Sequence, residues 1–385
     1  VATLSVLPGA PAAGAADPIL IGEINSRTGL LASQGLAIAE GIRIAVDDVN
    51  AAGGVGGRAV RLLERDDEGK AERAIAAAEE LVARRGVVAL LGGYVDSLVG
   101  PVSEVAERAR VPYLAAASLD ERLTARGYRY FFRVSSLRPY VTATVGVVRD
   151  LVHARRVAIL HATTPGATQL AARQRQAFLA DGIEVVAFEP FAPGLSDFVP
   201  LLRRVRDAQA DVLVSDAFFA DHLLAVRQLT QARIRVPGFL GAFGLEFPEV
   251  IRELGGAAEG LLGTTAWQPG VHVPAAPAES NAFVEAYRTR FRREAVPLSM
   301  HGYAAARALL AALAAAGAEG RTLEGEPLRE ALARVDLPTP LGRVRFTPEG
   351  EPVAYERVVV QVQRGRHVVV YPRAAASAPL VHPRP

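Results

Sequence analysis

The chain has no cysteine. Across its 385 residues that excludes disulfides, thiolate metal sites, a cysteine nucleophile and a lipid-bearing cysteine. A chain of this length can bury a large core without covalent staples, so secretion remains open to it. Long apolar runs are missing too. No stretch of about 18 consecutive apolar residues follows the N-terminus, so no transmembrane helix is expected. Nor is there an excess of charge of one sign. Lys and Arg number 43 against 41 Asp and Glu, a formal net charge of +2. The basic residues are mostly Arg, scattered along helices without interleaved aromatics, which argues against nucleic acid as a partner.

Catalytic signatures are equally scarce. There is no Walker A sequence and no Gly-x-Ser-x-Gly elbow. Gly54-Val55-Gly56-Gly57-Arg58-Ala59 has the spacing of a dinucleotide fingerprint, but it follows a helix and precedes a strand. The fingerprint needs the opposite order, so this segment reads as a helix-to-strand turn. None of the seven histidines is spaced as a metal pair. No cofactor and no metal are expected. The run Asp66-Asp67-Glu68 reads as the start of a helix, where negative charge suits the dipole, rather than as a cation site.

What is present is a rhythm. After an Ala/Gly/Pro-rich leader, Ile19 to Ile24 is a short apolar strand and Leu36 to Ala52 a helix with Ile38, Ile42, Val46 and Val49 on one face. Ala13-Gly14-Ala15 fits a small-x-small cleavage pattern, so residues 1–17 are expected to be the remnant of a secretion signal, with a disordered Ala/Pro leader as the alternative. Strand and helix then alternate to Ala116, and the alternation restarts at Leu137 and runs to Thr264. Strands separated by helices imply right-handed crossovers and parallel sheets. Three strong helices and three β segments follow, too few for a third unit. The expectation is an α/β fold of two Rossmann-like lobes with parallel-sheet cores. The first lobe would hold 18–134 plus 267–340, the second 135–266 plus 341–372, with 373–385 as a tail. The chain then crosses near Val134, Ala266 and Leu341, and three connections make a hinge with a cleft.

In open α/β sheets ligands sit beyond the carboxyl ends of the strands. The loop Leu91-Gly92-Gly93-Tyr94-Val95-Asp96-Ser97 leaves a strand for a helix, and Ser97 with that helix N-terminus offers donors to an anion. Asp96 or Ser97 as a simple helix cap is the competing reading. Ala117 and Ser118 end the next strand with small residues. Phe218 and Phe243 stand in the corresponding loops of the second lobe, His161 follows a strand there, and Trp267 lies beside a crossing. For each aromatic the alternative is a place in the core, and for His161 a solvated loop.

The order of these segments resembles the type I periplasmic binding proteins of the branched-chain amino acid and amide importers. Ile21-Gly-Glu-Ile-Asn-Ser-Arg-Thr-Gly29, Asn50-Ala-Ala-Gly-Gly54, Leu91 to Ser97, Val111-Pro112 through Leu123-Thr124, Tyr130-Phe-Phe-Arg133, Ala257-Ala-Glu-Gly260 and Phe283-Val-Glu-Ala-Tyr287 carry it. The resemblance runs from about Pro18 to Tyr371. It implies a receptor, not an enzyme, located in the periplasm of a Gram-negative cell. It also implies a monomer that closes on a small-molecule ligand and docks on the membrane permease of an ABC importer. The ligand's carboxylate would fall near Asp96, Ser97, Ala117, Ser118 and Leu119, with Tyr94, His161, Phe218, Phe243 and Trp267 as further contacts. Val95 and Asp96 stand where the family usually has serines, Leu119 where it has Thr, and Pro165-Gly166 where it often has Tyr-Gly. The acid that usually takes an ammonium aligns with Phe243, and Glu246 is the nearest carboxylate. An apolar or aromatic acid or amide is therefore expected rather than a branched-chain amino acid. A ligand sensor of the same fold is the alternative. A third reading, a hydrolase using Asp96 with His161, lacks a convergent nucleophile–base set.

Overall fold

The computed structural model describes residues 17–270, 276–353 and 355–384. The expected cleavage pattern at Ala13–Ala15 lies outside them, as does His272. The chain runs β1 (Ile19–Asn25), α1 (Ala32–Ala51), β2 (Val60–Asp66), α2 (Ala71–Arg84), β3 (Ala89–Gly92), α3 (Asp96–Ala109), β4 (Tyr113–Ala115), α4 (Arg122–Ala125) and β5 (Phe131–Arg133). It continues with α5 (Arg138–Val147), β6 (Arg156–Ala162), α6 (Pro165–Ala180), β7 (Glu184–Phe191), α7 (Val199–Asp207), β8 (Val212–Asp216), α8 (Phe219–Gln231), β9 (Gly238–Ala242), α9 (Pro248–Leu254) and β10 (Leu262–Thr265). The last part holds α10 (Pro277–Phe291), α11 (Pro297–Ala318), α12 (Gly325–Ala333), β11 (Asp336–Thr339), β12 (Gly342–Arg345), β13 (Val358–Gln363) and β14 (Arg366–Tyr371).

Two sheets organise these elements. The first has the order β2-β1-β3-β4-β5 and is parallel throughout. Side chains alternate across it, as a period of two requires. Ala89, Leu91 and Leu114 face Ile38 and Ile42 of α1 and Leu309 and Leu313 of α11. Leu90, Tyr113 and Ala115 face Ala78 of α2 and Val99 of α3 on the other side. The second sheet has the order β14-β13-β10-β9-β8-β6-β7. Five of its strands are parallel, and the β13–β14 hairpin adds antiparallel to β10. Val157 and Ile159 pack under α5 and α6, while Ala158 and Leu160 face α7 and α8. Both sheets are thus covered on both faces, which is why their strands read as near-continuous apolar runs.

Of the differences from the sequence expectation, two concern the strands near the cleft. Phe131–Arg133 is a fifth strand of the first sheet, too short to leave a periodic signal. The segment from Thr339 to Phe346 does not join the second sheet. It contributes to a separate β11–β12 hairpin, and Leu341, Val344, Phe346 and Tyr355 lie in the core shared with Phe132 of the first sheet. This segment thus packs with the first core, and the next strand, β13, belongs to the second sheet. The turn that follows β12 is tied down by Arg133, fully buried, which bonds the Glu351 carboxylate at 2.6 Å and the Asp120 carbonyl at 2.9 Å.

Helices α1 and α11 cross with their backbones in contact. A Cβ at Gly41 would overlap the Ser299 carbonyl, and one at Gly302 would overlap the Ile38 carbonyl. No described helix is long and apolar enough to cross a membrane.

Candidate cleft between the two sheets

The register of each sheet brings the carboxyl ends of its strands level. Ile24 pairs with Gly92 in the first sheet, and His161, Asp216 and Ala242 align in the second. The loops that leave these ends meet around a common cavity, more apolar than polar in its lining.

From the first sheet come two loops. Gly92 and Gly93 turn sharply at φ +111° and +90°, a conformation that needs glycine. Asn25 holds the turn by accepting the Gly93 N–H at 2.9 Å, and the Tyr113 hydroxyl donates to the Gly92 carbonyl at 3.1 Å. The turn delivers Tyr94 and Asp96 to the cavity. Asp96 does not cap its own helix. One carboxylate oxygen accepts the N–H groups of Leu119 at 2.8 Å and Asp120 at 2.9 Å, bridging the two loops. Burial raises its pKa, and these two N–H groups oppose the shift. The second loop supplies Ala117, Ser118 and Leu119. The Ser118 hydroxyl is buried and has no hydrogen-bond partner among the described residues.

From the second sheet come Thr164, Gly166 and Ala167 at the start of α6, Phe218 before α8, and Phe243, Glu246 and Phe247 after β9. Phe243 is held at φ +68°, rare for a bulky residue, between Phe218 at 6.2 Å and Tyr140 at 5.2 Å centroid to centroid. The Glu246 carboxylate accepts the Gly244 N–H at 2.9 Å, and burial pushes its pKa up to about 7 against opposing backbone bonds and the charge of Arg357. Where the chain passes between sheets, Ser135, Tyr140 and Arg357 close the floor, and Pro297, Leu298 and His301 of α11 add a wall. Burial drives the His301 pKa down to about 3, so the ring is neutral. Its Nδ1 faces the Ala116 carbonyl at 3.2 Å and must carry the proton, which leaves Nε2 an acceptor.

The two sides also touch beside the cavity. Gln169 of α6 donates to Asp120 at 2.5 Å and accepts the Glu121 N–H at 2.9 Å, while Arg173 pairs with Glu121 at 2.8 Å.

Of the residues expected from sequence, Tyr94, Asp96, Ala117, Ser118, Leu119, Phe218 and Phe243 line this cavity. Three do not. Ser97 is exposed on α3. His161 lies inside β6, which extends to Ala162, and its buried ring packs on Phe188 at 5.0 Å. Trp267 is 1 % exposed in the core of the first sheet, its indole N–H donating to Ser280 at 2.8 Å. No hydrogen bond joins Asp96 to His161, each being bonded to nearby backbone. The acidic run Asp66-Asp67-Glu68 bonds the Ser26, Arg27 and Thr28 segment and the Gly69 N–H, a structural use. Among the described residues no cluster of His, Asp and Glu could hold a metal ion. The lining residues not expected from sequence include Ser135, Tyr140, Thr164, Ala167, Phe247, Arg357 and the start of α11. Glu246 was noted only as a neighbour of the missing acid, yet it lines the same cavity as Phe243. The cavity therefore does contain a second carboxyl group.

A fold of two covered sheets facing one cleft defines a two-lobed binding protein. A family profile for periplasmic binding proteins matches residues 18–366, and the chain belongs to that family, whose members are non-enzymatic ligand carriers. It is 28% identical to Leu/Ile/Val-binding protein homolog 8 of Brucella abortus (strain 2308), over 94% of this chain and 92% of that one. A crystal structure of a leucine-binding protein from Thermotoga maritima superposes with a TM-score of 0.81 at 25% identity, covering 91% of this chain and 97% of the other. A solute-binding protein of R. palustris in complex with benzoate shares the fold, with a TM-score of 0.80 at 18% identity and coverage of 94% and 97%.

Proposed function

We propose that the chain is the extracytoplasmic solute-binding receptor of an ABC importer, which takes a small organic acid, amino-acid-like or aromatic, into the cleft between its two sheets. The observation that carries this reading is the cavity itself. It is apolar, built from both sheets at once, and furnished with a few polar groups that converge on one space. Such a site is complete only when the two halves are together, so a ligand that touches both favours the closed form. One lobe comprises 18–134 with 267–355, the other 135–266 with 356–372, and the passages near Val134, Ala266 and Tyr355 act as the hinge. The closed form docks on a membrane permease as a monomer. The similarity to Leu/Ile/Val-binding protein homologues supports an amino-acid-like ligand, and Glu246 supplies a carboxyl group that could take an ammonium.

The test is a thermal-shift screen of the purified protein with aliphatic amino acids, amides, aromatic carboxylates and small dicarboxylates. A ligand present at about a hundred times its Kd stabilises by about 2.7 kcal/mol, a readily visible shift. The expected result is a shift with at least one organic acid, accompanied by a smaller radius of gyration in solution scattering. No shift with any compound overturns the receptor reading.

A further inference from the structure

Arg357 is 5 % exposed and lines the cavity, yet it forms no ion pair among the described residues. Its Nε and Nη2 are buried without a hydrogen-bond partner there. The Tyr355 hydroxyl, which donates to the Val134 carbonyl at 2.8 Å, lies beside it. A guanidinium cannot shed its proton at physiological pH, so burial leaves it a cation in need of an anion. Resting on the receptor reading, we infer that the ligand is a ring-bearing carboxylate whose acid group is held at the hinge by Arg357.

Three further observations converge on this pose. Four N–H groups that the second first-sheet loop would offer a carboxylate are already occupied, while its Ser118 hydroxyl stays open. Leu119 and Asp120 donate to Asp96, and Ala116 and Ala117 donate to the Gly92 and Gly93 carbonyls. Asp96 is thus an internal carboxylate sitting where an external one would otherwise bind. The aromatic rings also lead toward the hinge. Tyr94 meets Phe218 at 6.2 Å, Phe218 meets Phe243 at 6.2 Å, Phe243 meets Tyr140 at 5.2 Å, and the Arg357 guanidinium sits 3.5 Å from the Tyr140 ring centroid. A ligand ring against these faces places its acid at the cationic end. Finally, the nearby titratable groups answer that charge only in part. His301 is neutral, and the Glu246 carboxyl is raised toward neutrality and bonded to the Gly244 N–H. In its protonated form Glu246 needs no cation, so a ligand without an ammonium is accommodated.

Calorimetric titration of the full chain with 3-phenylpropionate, its primary amide and L-phenylalanine tests this. Wild type, Arg357→Gln and Arg357→Lys are compared, with ligand-free melting recorded for each. Removing one side of a buried charge pair weakens binding by at least about 30-fold. The acid is expected to bind wild type at least that much better than the amide. Arg357→Gln should lose that preference while holding the amide within about 3-fold, because a neutral group never used the charge. Arg357→Lys keeps the charge without the planar fork and should fall between. It also gives the acid-to-amide ratio if the Gln variant does not fold. Equal binding of acid and amide by wild type, or undiminished acid binding by Arg357→Gln, overturns the assignment. Binding of an aliphatic amino acid without any ring-bearing acid overturns the ligand class and leaves the receptor reading standing, and L-phenylalanine bound in place of 3-phenylpropionate overturns the inference that a ligand without an ammonium is accommodated. If nothing in the thermal screen binds wild type, the receptor reading falls first and this one with it.

Discussion

Gly166 faces Asp96 across the cleft, and a single methyl group there probes the contact between the two halves. A Cβ at Gly166 would fall inside the contact distance of Asp96 Oδ2 and lie 3.2 Å from Leu119 Cβ. Asp96 cannot simply swing away, since its other oxygen holds the Leu119 and Asp120 N–H groups at 2.8 and 2.9 Å. Giving up those bonds would cost about 1.5–3 kcal/mol each if the carboxylate is ionised. Keeping them means overpacking, at about 1–3 kcal/mol. The cheaper response is for the halves to stay apart. That cost then appears as lost affinity, about 5- to 150-fold in Kd for Gly166→Ala. Each half by itself should not suffer. Gly166 is the second residue of α6, where Ala is the better helix former by up to about 1 kcal/mol. The ligand-free protein should therefore melt at the same temperature or slightly higher. Titration with a ligand from the thermal screen, beside a melt of the ligand-free variant, separates the two effects. An unchanged Kd would show that the Asp96–Gly166 contact is not part of the liganded state. A large drop in the ligand-free melting temperature would show that the methyl group damages one lobe instead of the contact.

Two other substitutions test the site and its support. Glu246 has its pKa raised from 4.5 to about 7, so its protonated form is the one the fold favours. Its stabilising contribution is fully present below about pH 4.5 and is lost as pH rises through about 7. Glu246→Gln should therefore gain on wild type across that window by up to about 3 kcal/mol, read by urea melts at several pH values; a gap that does not change with pH refutes the burial of a titrating carboxyl. Gly302→Ala would press a methyl group on the Ile38 carbonyl where α1 and α11 touch. It should cost about 3 kcal/mol or more in chemical denaturation and weaken ligand binding through Pro297, Leu298 and His301 on the same helix. An unchanged denaturation midpoint would mean the helices are not in backbone contact.

Much of the cleft was legible in the sequence because one rule ties local pattern to position. A parallel strand feeding a helix sends its loop to the carboxyl edge of the sheet. Recognising β3, β4, β8 and β9 as strands was therefore enough to select Tyr94, Asp96, Ser118, Phe218 and Phe243. The same rule misplaced His161, because β6 runs two residues further than its apolar core suggests. A residue inside a strand points to one face of the sheet, and His161 falls on the side of Val157 and Ile159, against Phe188. Trp267 failed for a related reason. Being next to a passage between lobes says nothing about side-chain direction, and the apolar indole was drawn into the core beside Phe283.

The sequence by itself determined the elements, their alternation and so the two parallel sheets, since hydrophobic period and glycine turns are local properties of the chain. It also determined that a cysteine-free chain must hold together without disulfide cross-links. Only the tertiary structure decided the floor of the cleft. Tyr140, His301, Glu246 and Arg357 come from four distant stretches, and no local pattern marks any of them. Arg357 in particular looks like any other arginine until folding removes it from water and leaves two of its nitrogens without a partner among the described residues. An unpaired charge is a property of the surroundings, and those surroundings exist only once both sheets are in place.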